Sequence, residues 1–252
     1  MMSIGIEYYD DKIASARALT ESHAGIQALL SPEIEPELLH RFLIEYCSLG
    51  VQITAPVDGW IRRAGLRCRE IGLVALGDSL VKHAVHEAGH DQMFADDSRS
   101  LVSDYFTRYR KHLDADTLLA QPKTAAMTRY IDLHEETIAG ATPFGQVAIE
   151  LEIERLSVTL GPKLIAQFER VLGPGILSCL TFLQEHVAVD VGHTALNRKL
   201  LSRLLEARPE SVDILVDTGA RALGAYLDFM GECVSRARNS LRPSALSQVS
   251  AH

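Results

Sequence analysis

This chain is poor in the residues that mark several whole classes of protein. Its four cysteines, Cys47, Cys68, Cys179 and Cys233, are far apart and form no Cys-x-x-Cys pair. That excludes a zinc ribbon and a disulfide-built scaffold, and it fits a reducing compartment. Basic residues never gather into a run. Arg236, Arg238 and Arg242 are too sparse for a patch, and the net charge of -8 leaves no electrostatic footprint for nucleic acid. No apolar run approaches the ~18 residues of a membrane helix, so no membrane partner is expected. Met1 to Asp11 carries early acids and no apolar stretch, so a secretory leader is not expected and a cytoplasmic setting is. Gly-x-Gly-x-x-Gly, a phosphate loop and a Ser-His-Asp elbow are all missing, which removes the common nucleotide-binding and serine-hydrolase classes. Alternating β-branched runs are missing too, apart from the short Val51-Gln52-Ile53-Thr54.

What is present is helical periodicity. Apolar residues recur at every third or fourth place, and at 252 residues with 47% hydrophobic content a sizeable core needs neither disulfides nor structural metal. The pattern predicts helices over 10–30, 36–54 (with Pro36 in the opening turn), 57–77, and 78–94 with Asp78 as N-cap. Ala95-Asp96-Asp97-Ser98 reads as a loop. Further helices are expected over 101–112, 124–138, 144–160 (closed by Gly161-Pro162), 162–172, 176–207 and 211–238. The whole is expected to be one all-α domain over 1–252, with its core at about 10–238 and a loose tail at 239–252.

Two stretches carry the chemistry. His186-Val-Ala-Val-Asp190-Val-Gly-His193 places His186, Asp190 and His193 at i, i+4 and i+7, one face of a helix. His83-Ala-Val-His86-Glu87-Ala-Gly-His90 repeats the spacing with His83, Glu87 and His90, and Glu87-x-x-His90 has the Glu-x-x-His form used in helix-bundle diiron sites. His83 and His86 cannot both point inward with His90, because they differ by about 60° around a helix of 3.6 residues per turn. The apolar neighbours Val187, Ala188, Val189 and Val191 imply that the later row is buried, where an unpaired carboxylate is costly and a cation would compensate it. A third wall is Glu150-Leu-Glu152-Ile-Glu154, where Glu150 and Glu154 share a face and Glu152 points elsewhere. Glu154 is the first candidate of that pair and Glu150 the reserve. Glu45 and Asp58 are candidates for a further early carboxylate. Cys179 is placed to line the same cavity. Trp60 and Tyr46 read as packing residues with a polar edge, and His134-Glu135-Glu136 reads as solvated.

The row His186-x-x-x-Asp190-x-x-His193 late in an all-α chain resembles the haem-oxygenase-like diiron oxidases and oxygenases, also described as iron-containing redox enzymes. The resemblance covers about Pro36 to Asn197. It adds His90 as the earlier histidine and Glu154, 32 residues before His186, as the mid-chain glutamate. Where some members carry a glutamate seven residues before the early histidine, this chain has His83. The resemblance implies a haem-oxygenase-like multi-helix bundle. It implies two Fe(II) per chain held by His83, Glu87, His90, Glu154, His186, Asp190 and His193, with O2 as co-substrate. It also implies a small-molecule substrate, amino-acid-like, in a biosynthetic pathway, oxidised with the help of an external electron donor. Arg155 and Arg63 are the candidates to meet a substrate carboxylate. A homodimer is compatible with the acidic composition. The competing expectations are a metal-free enzyme of the same fold, thiaminase-like or quinone-cofactor-oxidase-like, and a non-catalytic helical binding protein.

Overall fold

The chain packs eleven α-helices around a shared core in the computed structural model, which describes residues 5–242. No strand occurs among the described residues, and Val51 to Thr54 is helical. The helices are α1 (Ile6–Ser22), α2 (Ala24–Leu30), α3 (Pro36–Thr54), α4 (Val57–Glu70), α5 (Val74–His83) and α6 (His90–Tyr109), then α7 (Ala115–Leu119), α8 (Ala125–Ala139), α9 (Gln146–Leu172), α10 (Thr181–Ala207) and α11 (Val212–Ser240). One contiguous apolar cluster takes residues from every helix except the short α7, whose Leu118 packs on its edge. No described helix is long and apolar enough to cross a membrane. The expected loose tail lies, from residue 243 on, outside the described residues; residues 239–240 belong to α11.

Several boundaries differ from the expectation, each for a physical reason. The expected 10–30 helix breaks at His23, which takes an extended backbone with ψ 124°. The 57–77 segment ends early because Gly72 sits at φ +83°, a left-handed position that closes α4. α5 then folds back on α4 so closely that a Cβ on Gly65 would lie 2.8 Å from the Gly77 carbonyl oxygen. Asp78 is consequently not a cap; it lies inside α5 and pairs with Arg69 at 2.6 Å. The 95–98 segment is not a loop but part of α6, with Ser98 buried and hydrogen-bonded to Ser48 at 2.7 Å. Pro162 does not end a helix. α9 runs through it, because Leu156, Leu160, Leu164 and Phe168 bury one continuous face. That burial outweighs the loss of one backbone hydrogen bond. The 176–207 segment is broken at Leu180, ahead of which lies a short 3-10 turn containing Cys179.

Candidate metal centre

α9, α10 and the α5–α6 junction meet at the centre of the bundle. α10 is set in place by a buried acid from another helix: Asp97 of α6 accepts from the Thr181 and Phe182 backbone N–H groups, both at 2.9 Å, and from the Thr181 hydroxyl at 2.8 Å. A carboxylate on the first N–H groups of a helix satisfies orphan donors and favours the helix dipole. This fixes the start of the helix that carries His186, Asp190 and His193.

The earlier row does not form one helix. α5 stops at His83, residues 84–89 make turns, and α6 starts at His90 after Gly89 at φ +88°. The turns still bring the three side chains together. His83 is buried and faces Glu87 and Glu154, whereas His86 is exposed. Glu87 enters from the turn with only 10% of its side chain exposed.

Two groups of metal-ligating atoms result. His83, Glu87, Glu154 and His193 form one, and Glu87, His90 and His186 form the other; within each, the donor atoms all lie within 4.8 Å of one another. Glu87 belongs to both. Its Oε1 lies 3.2 Å from His193 Nδ1 and 3.4 Å from His83 Nε2, while Oε2 lies 3.2 Å from His90 Nδ1. Glu154 Oε1 approaches His83 Nε2 at 3.4 Å. Asp190 is buried beside His193 Nδ1 at 3.5 Å but lies outside both groups. Glu150 is also outside them. Its Oε1 accepts from Gln146 Nε2 at 2.5 Å.

Hydrogen bonds aim several of these groups. The backbone carbonyl of Phe182 lies 2.8 Å from His186 Nδ1, which leaves Nε2 free to face the second group. Asn197 donates to both oxygens of Glu154, at 3.0 and 2.9 Å. Neither nitrogen of buried His83 has a hydrogen-bond partner, nor does His193 Nδ1. Unpartnered imidazole nitrogens facing carboxylate oxygens are what a cation would satisfy.

The electrostatics follow from crowding. The imidazoles of His193, His83 and His90 hold Glu87 well below the usual carboxylate range against the opposing effect of burial. Asp190 and Glu87 push His193 up to about 10. Burial and neighbouring Glu87 push Glu150 up to about 8, and burial together with Glu150 raises Glu154 well above the usual carboxylate range. Burial lowers His186.

A cavity of about 110 Å³ adjoins the centre. Glu87, Glu150, Glu154, His186 and Asp190 are among its polar lining residues, and Leu160, Gly161, Leu164 and Leu183 among its apolar ones. Tyr46 and Tyr226 also line it, with their hydroxyls hydrogen-bonded at 2.8 Å. Neither Lys nor Arg lines it.

The other candidates lie elsewhere. Glu45 pairs with Arg41 at 3.1 Å and Arg236 at 2.9 Å, and Asp58 joins neither group. Arg63 is bound to Glu135 at 2.6 Å, and Arg155 lines a separate cleft on the far side of α9. Cys179 is buried away from the cavity. Glu152 points away, as read from the sequence, and accepts from Tyr9 and Arg17. The α10 row is less enclosed than expected, since Val191 is 60% exposed. His134 is not solvated but buried, 4.0 Å from the Trp60 ring in a parallel stack. Asn197 and Tyr226 escaped sequence reasoning. Asn197 continues the 186–190–193 stripe by one more turn, a signal that was there to use.

Comparison with known proteins extends the geometry. No protein-family model and no curated protein matches the chain. Solved structures do. A domain of unknown function with a haem-oxygenase-like fold from Shewanella denitrificans superposes with a TM-score of 0.73 at 15% identity, over 94% of each chain. A TenA homologue from Pseudomonas syringae gives 0.69 at 12% identity, over 91% of this chain and 92% of the other. A CADD-like protein of unknown function from Nostoc punctiforme gives 0.63 at 13% identity, over 92% and 99%. The architecture is therefore the haem-oxygenase-like fold, with a buried His/Glu cluster that can hold metal.

Proposed function

We propose that this chain is an O2-dependent oxidoreductase that binds two Fe(II) ions at the shared Glu87. The observation that carries this reading is the pair of overlapping donor groups, in which each oxygen of one carboxylate faces a different set of imidazoles. Imidazole and carboxylate donors with open positions suit iron that must meet O2 and substrate. The residues present fit such a pair: His83, Glu154 and His193 would hold one ion, His90 and His186 the other, with Glu87 between them and Asp190 within reach of His193. Bound Fe(II) supplies the electrons that reduce O2 and the oxidising power applied to the substrate.

The chain itself supplies three things. The aliphatic lining of the cavity disfavours water, which strengthens electrostatic interactions at the charged groups beside it. The hydrogen-bonded Tyr46 and Tyr226 hydroxyls offer a further polar contact on the lining. Glu150 stands on the cavity wall, where its Oε1 accepts from Gln146 and burial pushes its carboxyl up to about 8 in the metal-free chain. A substrate of this shape is a small metabolite with an apolar body and one polar end, of the amino-acid or amine class. Because no Arg or Lys lines the cavity, a substrate carboxylate would have its counter-charge at the metals, and neither Arg63 nor Arg155 serves it.

Anaerobic Fe(II) loading followed by desalting and iron analysis tests the reading. About two irons per chain are expected, with O2 uptake on aeration. A chain that retains no iron would sink it and favour a metal-free enzyme of the same fold.

A further inference from the structure

Trp60, the single tryptophan of the chain, is 1% exposed, yet its Nε1–H donates at 2.8 Å to Glu135, whose side chain is 47% exposed. The opposite side of the same indole contacts buried polar groups. His134 lies flat on it, with ring centroids 4.0 Å apart and planes 10° apart, and Tyr130 stands edge-on to both rings at 6.3 and 4.7 Å. Tyr130 lines the same cavity as Glu87 and His186. A second connection runs from His134 Nδ1 to the Gln146 amide at 3.0 Å and on to Glu150, also on the cavity wall. His134 Nδ1 also lies 3.2 Å from Gln146 Oε1, and the buried His134 Nε2 has no partner.

Packing alone does not call for this arrangement. An apolar side chain would fill the place of His134 without the cost of a buried ring nitrogen that has no partner. Burial pushes His134 down to about 3, so the ring on the indole is neutral and leaves the indole easy to oxidise.

We propose that Trp60, stacked on His134, is a one-electron relay between the surface at Glu135 and the metal centre. The inference rests on the reading of that centre as an O2-using iron site. In the step, Trp60 gives one electron to the centre once O2 has oxidised it, and the Nε1 proton moves to the Glu135 carboxylate. A neutral indolyl radical remains. A soluble one-electron reductant at the surface then returns the electron and Glu135 returns the proton. Trp60 and Glu135 end unchanged, and one electron has passed from reductant to centre.

The test is rapid freeze-quench electron paramagnetic resonance of Fe(II)-loaded protein mixed with O2 without reductant. The expected result is an organic radical whose hyperfine pattern narrows when the protein is made with ring-deuterated tryptophan. That arm needs no substitution and is unambiguous because only one tryptophan exists. Ascorbate should discharge the radical, and Trp60→Phe should abolish it while iron content stays at the wild-type level. Glu135→Gln should leave the radical as a cation, seen as a shifted optical band. Protein that holds iron and consumes O2 but shows no radical, or one indifferent to tryptophan deuteration, would overturn the relay and leave the proposed function standing. Protein that holds no iron would overturn both.

Discussion

Glu87 faces both donor groups, one oxygen to each, so its substitution has a consequence that no other ligand shares. Glu87→Gln keeps the volume but replaces one oxygen by an N–H2 group that cannot ligate. Iron after desalting should fall from about two per chain to one or none, measured by metal analysis. His193→Ala should abolish O2 consumption while the far-ultraviolet helix signal persists, because the ring is partly exposed and caps no helix. Full activity in that variant would count against the centre. Asn197→Leu tests the support of Glu154. Loss of an orienting donor typically weakens metal binding by about 10- to 100-fold, which a competition titration would read. At this scale the sequence was informative where chemistry recurs at helical spacing. His186, Asp190 and His193 share a face for that reason. His134 was misread because Asp132, Glu135 and Glu136 surround it with polar neighbours, while burial is decided by α4 and α9 packing over it. Glu45 could not be placed because its partner Arg236 lies 191 residues away.

Between elements, the α9–α10 contact decides whether Glu154 meets His193. Gly161 sits against Val187 so closely that an added Cβ would collide with the valine methyl. Gly161→Ala should therefore push the helices apart, at a cost of about 1–3 kcal/mol typical of overpacking. Urea unfolding should show that loss, and iron retention should drop with it. Adding Val187→Ala makes room and should restore both; failure of the rescue would mean the glycine matters for another reason. The same contact explains why α9 was hard to read. Gly161-Pro162 is a strong local stop signal, and only the long buried face of the finished bundle overrides it. α3, by contrast, was legible to the residue, because Pro36 opens it and Ala55-Pro56 closes it in the sequence itself. The His83–His90 stretch shows a third case. Helical spacing is not what brings these side chains together: Gly89 at φ +88° turns the chain and Glu87 reaches inward from the turn.

Across the whole molecule, the centre couples protonation to folding. Without metal, the folded chain holds protons that the unfolded chain would release. His193 is raised from 6.5 to about 10, so its contribution is complete below about 6.5 and lost as pH rises through about 10. Glu150 is raised from 4.5 to about 8, so the metal-free fold is penalised progressively as pH climbs between those values. His40 and His134 act in the opposite sense: burial holds them at about 4 and about 3, so stability is lost as pH falls below 6.5. The metal-free protein should thus weaken on both sides of a slightly acidic optimum. Fe(II) must displace the His193 proton to bind, and its charge favours the ionised forms of the carboxylates around it, so metal uptake releases protons. The gain in melting temperature on anaerobic Fe(II) loading should accordingly be larger at pH 8 than at pH 6.5. Scanning calorimetry of loaded and metal-free protein at the two pH values measures it. An equal gain at both would mean that no proton leaves the bundle when the metal enters, and that the crowded acids and imidazoles are not the binding site.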